Sequence, residues 1–298
     1  MTEFHTKPVL VPVDYSIPSR NAACIARSVA ESDQDVTLLH VALDFDLVVP
    51  SRSWVSDIPP DTEADRVERL KAWRDDNELG DVRVQVRVGD PGTEVCKAAE
   101  ELGTRLIVMS SHGHHGLKRL LLGSVAERIL RHCHCSALVL HRDDDHPEVI
   151  EHPEEWFPRK RVVVPVDFSE SSRLAVEVAL QAADAPSSVD VINVVPHMDD
   201  PVLIGSTVMT DEDRRAGRED HLKQWLADHG YGSLRRHVLT GDAGTVIVNH
   251  AAGVKAELIV MPSHGYHGLK RLVLGSTTER VLRHALTPVL VIRRTDAD

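Results

Sequence analysis

The chain has 298 residues, of which 42% are hydrophobic and 27% charged, and its 46 acidic and 34 basic side chains give a formal net charge of −12. This length favours two domains, each with its own core, and the composition excludes global disorder. The acidic balance argues against nucleic acid or an anionic membrane as a partner, and no apolar run reaches the ~18 residues of a membrane span. The first residues carry no signal-peptide core, so we expect a cytoplasmic protein that binds small molecules or proteins.

Short β-branched runs alternate with helical patterns along the first half. The predicted strands are Val9–Val13, Val36–Ala42, Val82–Val88, Leu106–Met109 and Ala137–His141, and the predicted helices are Ser19–Glu31, Asp61–Asn77, Thr93–Leu102 and Ser124–His132. This alternation requires parallel strands with right-handed crossovers. We therefore predict an α/β, Rossmann-like domain with a doubly wound five-stranded parallel sheet in the order 3-2-1-4-5.

The second half repeats the first. VLVPVDYS at Val9–Ser16 recurs as VVVPVDFS at Val162–Ser169, and SHGHHGLKRLLLGS at Ser111–Ser124 recurs as SHGYHGLKRLVLGS at Ser263–Ser276. A repeat of this length is a duplicated domain. We predict two tandem domains over residues 1–143 and 158–298, joined by an acidic linker over residues 144–157.

Both repeated motifs follow the strands between which the winding of the sheet reverses. Ligands of such sheets bind at the carboxyl ends of these strands. A glycine at the start of a helix lets backbone N–H groups approach a phosphate closely, and the positive helix end favours the anion. Gly123-Ser124 and Gly275-Ser276 therefore predict two phosphate sites.

The motifs resemble those of the universal stress protein family in its tandem form, over nearly all of both halves. The family's nucleotide motif is Gly, two residues, Gly, nine residues, then Gly-Ser or Gly-Thr. The second glycine and the Gly-Ser are present twice, and Val-Pro-Val-Asp followed by an aromatic residue and Ser also matches twice. The family's first glycine is replaced by Ser110 and Pro262, and the added side chain or the lost N–H of proline is expected to weaken binding.

The resemblance implies ATP binding, with or without Mg²⁺, in one or both halves. It assigns Val13 and the backbone of Val41 to the adenine, and Asp14 to the phosphates or a Mg²⁺ ion. The ribose and phosphates would meet Ser110, Gly113, Gly123, Ser124 and Val125. The matching residues of the second half are Val166, Asp167, Val194, Pro262, Gly265, Gly275, Ser276 and Thr277.

Several polar residues have two readings. Asp14 and Asp167 either cap the turn into the first helix or meet a metal–phosphate complex. The basic residues after the glycine motif are either solvated surface charge or part of an anion site; they are Lys118, Arg119, Arg128 and Arg131. His132-Cys133-His134-Cys135 is predicted to be a helix end and not a metal site, because adjacent side chains diverge. We expect all four cysteines to be reduced thiols.

Three functions fit these patterns. The first is a module of stress response or signalling that senses or carries ATP. The second is a scaffold for an unidentified protein partner whose sites have lost their ligand, which Ser110 and Pro262 favour. The third is an enzyme, at most a weak ATPase, because no P-loop or dinucleotide motif and no catalytic residue can be identified. We expect the two halves to form an intramolecular pseudo-dimer through their fifth strands, and further homo-oligomers stay open.

Overall fold

The computed structural model describes residues 6–43, 62–111, 122–141, 150, 153–197, 202–204, 207–264 and 274–293. The chain divides between Glu154 and Glu155 into two compact units, here called the first and second domains. Each is described by itself.

The first domain alternates strands and helices, as the sequence predicts. Its elements are β1 (Val9–Pro12), α1 (Ile17–Val29), β2 (Val36–Ala42), α2 (Glu63–Asp76), β3 (Arg83–Val88), α3 (Pro91–Glu101), β4 (Leu106–Ser110), α4 (Ser124–His132) and β5 (Ser136–Leu140). A 3₁₀ turn at Asp33–Asp35 precedes β2.

The second domain repeats this series. Its elements are β6 (Val162–Pro165), α5 (Glu170–Ala182), β7 (Val189–Val195), β8 (Val202–Ile204), β9 (Thr207–Met209), α6 (Asp211–Asp228), β10 (Arg235–Thr240), α7 (Ala243–Gly253), β11 (Leu258–Pro262), α8 (Ser276–His284) and β12 (Val289–Ile292). Strands β8 and β9 form an antiparallel hairpin between β7 and α6, which the sequence patterns did not predict. Further 3₁₀ turns lie at Pro153–Glu155 and Pro186–Ser188.

The predicted strand order is confirmed in both domains. The first sheet has the order β3-β2-β1-β4-β5, and the second has the order β10-β7-β6-β11-β12, with parallel pairing throughout. The central strands are buried on both faces, as parallel strands between two helical layers should be. The winding reverses at β1/β4 and at β6/β11, so one crevice lies at the carboxyl ends of each of these pairs.

The start of each major helix follows from its N-cap residue. Ser16, Thr62 and Asp90 accept hydrogen bonds from the backbone of the first turns of α1, α2 and α3. Ser169, Thr210 and Asp242 do the same for α5, α6 and α7. The cap at Ser16 explains why α1 begins at Ile17 and not at the predicted Ser19. The fourth helix of each domain differs, because a glycine precedes it.

Candidate functional site

The turn after β1 forms one wall of the first crevice. Tyr15 has a φ of 64°, in the left-handed region, so the chain reverses sharply before α1. Asp14 Oδ1 stabilises the turn by accepting hydrogen bonds from the backbone N–H of Ser16 at 3.1 Å and from its hydroxyl. Ser16 in turn caps α1 by accepting from the N–H of Ser19 at 3.3 Å.

The second domain builds the same turn with one variation. Phe168 has a φ of 67°. Asp167 Oδ1 accepts from the N–H of Ser169 at 3.1 Å and from the hydroxyl of Ser172 at 2.7 Å. Of the two readings given for these aspartates, the structure supports the turn-capping one in both domains. A carboxylate has further lone pairs, so this contact leaves the metal–phosphate reading untested.

The residues assigned to the adenine lie where β1 leaves the sheet. The N–H of Val13 donates to Leu39 at 2.9 Å, and the carbonyl of Val13 contacts His40 Nδ1 at 2.9 Å. In the second domain the N–H of Val166 donates to Ile192 at 2.8 Å, and Asn193 Nδ2 donates to the Val166 carbonyl at 2.7 Å. The polar residue before Val41 or Val194 therefore fixes the end of β1 or β6.

These two polar residues were missed by the sequence analysis. His40 and Asn193 each follow two apolar residues within a strand, which is an unusual place for a polar side chain and could have identified them. Val41 and Val194 come next and are half-buried, at the crevice end of β2 and β7.

A glycine that is hydrogen-bonded to the residue after the fourth strand forms the opposite wall of each crevice. The N–H of Gly123 donates to the carbonyl of Ser111 at 2.9 Å, and the N–H of Gly275 donates to that of Ser263 at 2.9 Å. The two glycines are the N-caps of α4 and α8, and no side chain among the described residues caps either helix. Four residues occupy the first two positions of these helices: Ser124 and Val125, with Ser276 and Thr277.

The close approach of a backbone oxygen, and not the backbone angles, limits which side chains fit in place of Gly275. Gly275 has a φ of −64°, which any residue can adopt. A Cβ atom on it would lie 3.3 Å from the Ser263 carbonyl oxygen, which is tighter than an ordinary contact. A side chain at this position would therefore require a shift of a few tenths of an ångström between the start of α8 and the end of β11. Gly113 and Gly265, the preceding glycines of the motif, lie outside the described residues.

Ser110 and Pro262 end β4 and β11. In each domain the next residue donates its N–H to a carbonyl of the fifth strand. Ser111 donates to the Leu140 carbonyl at 2.8 Å, and Ser263 donates to the Ile292 carbonyl at 3.0 Å. Because successive N–H groups of a strand point to opposite sides, the N–H of Ser110 points toward β1. Pro262 therefore lacks an N–H group that, at Ser110, points toward a neighbouring strand of the sheet. The Pro262 carbonyl also accepts a hydrogen bond from the Thr278 hydroxyl at 3.0 Å, where the first domain has Ala126.

The basic residues of the fourth helices are paired with carboxylates. Arg128 Nη1 lies 2.5 Å from Asp90 Oδ1, and Arg131 Nη2 lies 3.0 Å from Glu127 Oε1. Arg280 and Asp242 repeat the first contact at 2.6 Å. Hydrogen bonds from Thr245, followed by the Arg280 guanidinium, lower the pKa of Asp242 to about 2. Arg128 and Arg280 join the fourth helix of their domain to the N-cap of the third, whereas Arg131 pairs within its own helix. Lys118 and Arg119 lie outside the described residues.

The expectation of four reduced thiols is wrong for two of the cysteines. Cys96 on α3 and Cys133 at the end of α4 form a disulfide, with their Cα atoms 5.0 Å apart. Cys24 and Cys135 are buried free thiols. Cys133 therefore cross-links two helices, and its tract ends a helix as predicted.

A second polar cluster lies at the other end of the second sheet. Asp190, His237 and His250 place one possible ligand atom each within 4.8 Å of the others. Burial lowers the pKa of His250, and the facing His237 adds to this effect. The sequence patterns predict no metal site here, because the three residues are distant in sequence. A comparison of the two halves could have identified them, because the first half has no acidic residue or histidine at the equivalent positions.

The fold and the paired crevices define a tandem doubly wound α/β protein. The model of the universal stress protein family matches the chain twice, over residues 5–141 and 158–293. A universal stress protein of Mycobacterium tuberculosis is 29% identical, and the alignment covers 96% of this chain and 97% of that protein. The chain therefore belongs to the universal stress protein family and carries the family domain twice.

The solved structure of one family member agrees with this fold. A universal stress protein from Archaeoglobus fulgidus is similar over 100% of both chains, with a TM-score of 0.64 and 22% identity. A universal stress protein solved in complex with cAMP covers 46% of this chain and 98% of its own, with a TM-score of 0.34 and 21% identity. Within the described ranges, no helix combines the length and the apolar character needed to cross a bilayer.

Proposed function

We propose that this protein binds an adenine nucleotide, ATP in the first instance, in the crevice of one or both domains and acts in stress response or signalling. The observation that carries the proposal is the pair of glycine N-caps, each held against the end of a central strand. They leave the first-turn N–H groups of α4 and α8 without a capping side chain among the described residues. Such a helix start favours a phosphate.

The other wall supports the same ligand. The end of β1 or β6 is fixed by two hydrogen bonds to the neighbouring strand, so a planar base would meet a preorganised backbone. If Mg²⁺ accompanies the nucleotide, Asp14 and Asp167 are the carboxylates beside the crevice. Their Oδ1 atoms already accept two hydrogen bonds each, so the ion would use remaining lone pairs or bind through water.

The test is ATP titration by calorimetry of the wild type, Gly123→Val, Gly275→Val and the double variant. Each substitution should displace a helix start, and we expect affinity at that site to fall by at least about tenfold, the effect of losing one charge-assisted hydrogen bond. Gly217→Val is the matched control, because a Cβ on Gly217 meets no atom within 4 Å. Circular dichroism must show that all variants keep the fold.

The competing functions predict different results. Small molecules released by denaturing the purified protein should include adenine nucleotides. A wild type that releases none and does not bind added ATP would favour the scaffold, which the substitutions at Ser110 and Pro262 also favour. Steady formation of ADP that ceases in the double variant would favour the enzyme.

A further inference from the structure

The second domain contains buried polar atoms that lack hydrogen-bond partners, away from the nucleotide crevice. Asp190 is the second residue of β7 and Arg235 the first residue of β10, so both lie at the amino ends of the strands. Asp190 Oδ1, Arg235 Nε and His250 Nε2 are buried and complete no hydrogen bond among the described residues. Asp190 Oδ1 and Arg235 Nε form an ion pair at 2.8 Å, so the atom without any polar partner among the described residues is His250 Nε2. A buried imidazole nitrogen left in this way costs free energy, which a ligand bound to it would recover.

Three of the side chains have the chemistry of a metal site. His237 Nε2 lies 3.8 Å from Asp190 Oδ1, and the His237 and His250 rings have their centroids 5.1 Å apart. Tetrahedral zinc holds such donors at about 2.0–2.2 Å, which places neighbouring donors about 3.3 Å apart. The His237 side chain is 43% exposed, so its rotation can supply much of the shortening that the distances between donor atoms require.

The first domain shows that the fold does not require this cluster. The parallel registers match Thr37 with Asp190 and Gln85 with His237, and the eighth residue of the third helix is Ala98 in one domain and His250 in the other. The duplicated domain therefore folds with no acidic or histidine side chain at these three positions.

Two arginines compete for the carboxylate. Arg161 Nη1 donates to Asp190 Oδ2 at 3.3 Å, while Arg235 Nε lies 2.8 Å from Oδ1 without the alignment of a hydrogen bond. Asp190 is 1% exposed, but the two arginines are 34% and 39% exposed and can turn toward solvent. A groove of about 550 Å³ lies beside β10 and is lined by Arg235, His237 and residues of α6.

We propose that Asp190, His237 and His250 form a binding site for a divalent transition-metal ion such as Zn²⁺. Two imidazoles and one carboxylate suit zinc, and water would complete its coordination. The site is independent of nucleotide binding, because it lies at the amino ends of the strands.

The test uses the full-length protein freed of metal by a chelator and titrated with Zn²⁺ by calorimetry. Co²⁺ absorption spectra report the ligand set. The substitutions are taken from the first domain: His237→Gln, His250→Ala and Asp190→Thr. His197→Gln is the matched control, because His197 lies 2.6 Å from Asp211 as a histidine–carboxylate pair elsewhere in the domain.

We expect one Zn²⁺ per chain and at least about tenfold weaker binding in each of the three variants, as loss of a ligand predicts. The control should bind like the wild type, and Arg235→Gln should bind more tightly because it frees the carboxylate. Equal affinity in the wild type, His237→Gln and His250→Ala would overturn the proposal, as would an equal loss in the control. Because His237 is partly exposed, its substitution keeps the test valid even if Asp190→Thr does not fold.

Discussion

Asp242 combines three roles at a single carboxylate, since it caps α7, accepts from Thr245 and pairs with Arg280. These contacts lower its pKa from 3.8 to about 2, with the Thr245 hydrogen bonds as the largest cause. A lowered pKa means that the folded state favours the ionised form. The resulting stability is fully present above about pH 4 and is lost as the pH falls toward 2.

Asp242→Asn tests this linkage, because asparagine can still cap the helix but carries no charge. We expect the variant to be less stable than the wild type at pH 6, by under about 1 kcal/mol because the side chain is half exposed. The difference should narrow as the pH is lowered from 4 to 2. Urea unfolding midpoints at several pH values measure it, and a difference that stays constant with pH would contradict the assignment.

The sequence could identify the motif residues of the crevice but not all of their contacts. The recurring motifs single out Asp14, Gly123 and their second-domain equivalents, and the resemblance to the family adds Val13 and Val166. The hydrogen bonds from His40 and Asn193 could not be predicted, since they depend on the register between neighbouring strands. The same holds for the direction of the Ser110 N–H, which a sequence does not specify.

At the scale of elements, the disulfide joins α3 to α4 in the first domain only. Cys96 and Cys133 are 37 residues apart in sequence, and the second domain has Val248 and Ala285 at the matching positions. The alternation of strands and helices predicts the strand order, and the repeat predicts the second domain. The disulfide, by contrast, depends on how two helices pack. Because all four cysteines lie in the first half, the sequence excludes a disulfide framework shared by both domains, but it does not predict the bond between Cys96 and Cys133.

Reduction should therefore destabilise the first domain selectively. Closing a loop of this length is worth about 2–4 kcal/mol in the unfolded-chain model. We expect dithiothreitol, or the double change Cys96→Val and Cys133→Ala, to lower the unfolding free energy of the first domain by that amount. Hydrogen exchange resolved by peptide measures both domains in one sample, with the second as the internal control. Equal changes in both domains, or none, would show that the bond does not stabilise the fold.

At the scale of the whole molecule, we expect the two domains to associate as a pseudo-twofold pair. β5 and β12 are the last strands of their own sheets, and an exposed sheet edge favours pairing. Backbone NMR relaxation should then give one rotational correlation time for both domains, about twice that of a single domain of half the mass. Two different, shorter correlation times would contradict the association.

The aromatic residue of each crevice turn has an optical consequence. The Tyr15 ring lies 5.9 Å from Trp73 of α2, and the Phe168 ring lies 6.0 Å from Trp225 of α6, both edge to face. Each domain thus carries an indole fluorophore in contact with the turn that borders its own crevice. The chain has two further tryptophans, Trp54 and Trp156. With both of these and either Trp73 or Trp225 replaced by phenylalanine, one indole remains, so emission can follow occupancy of the domains one at a time without an added label.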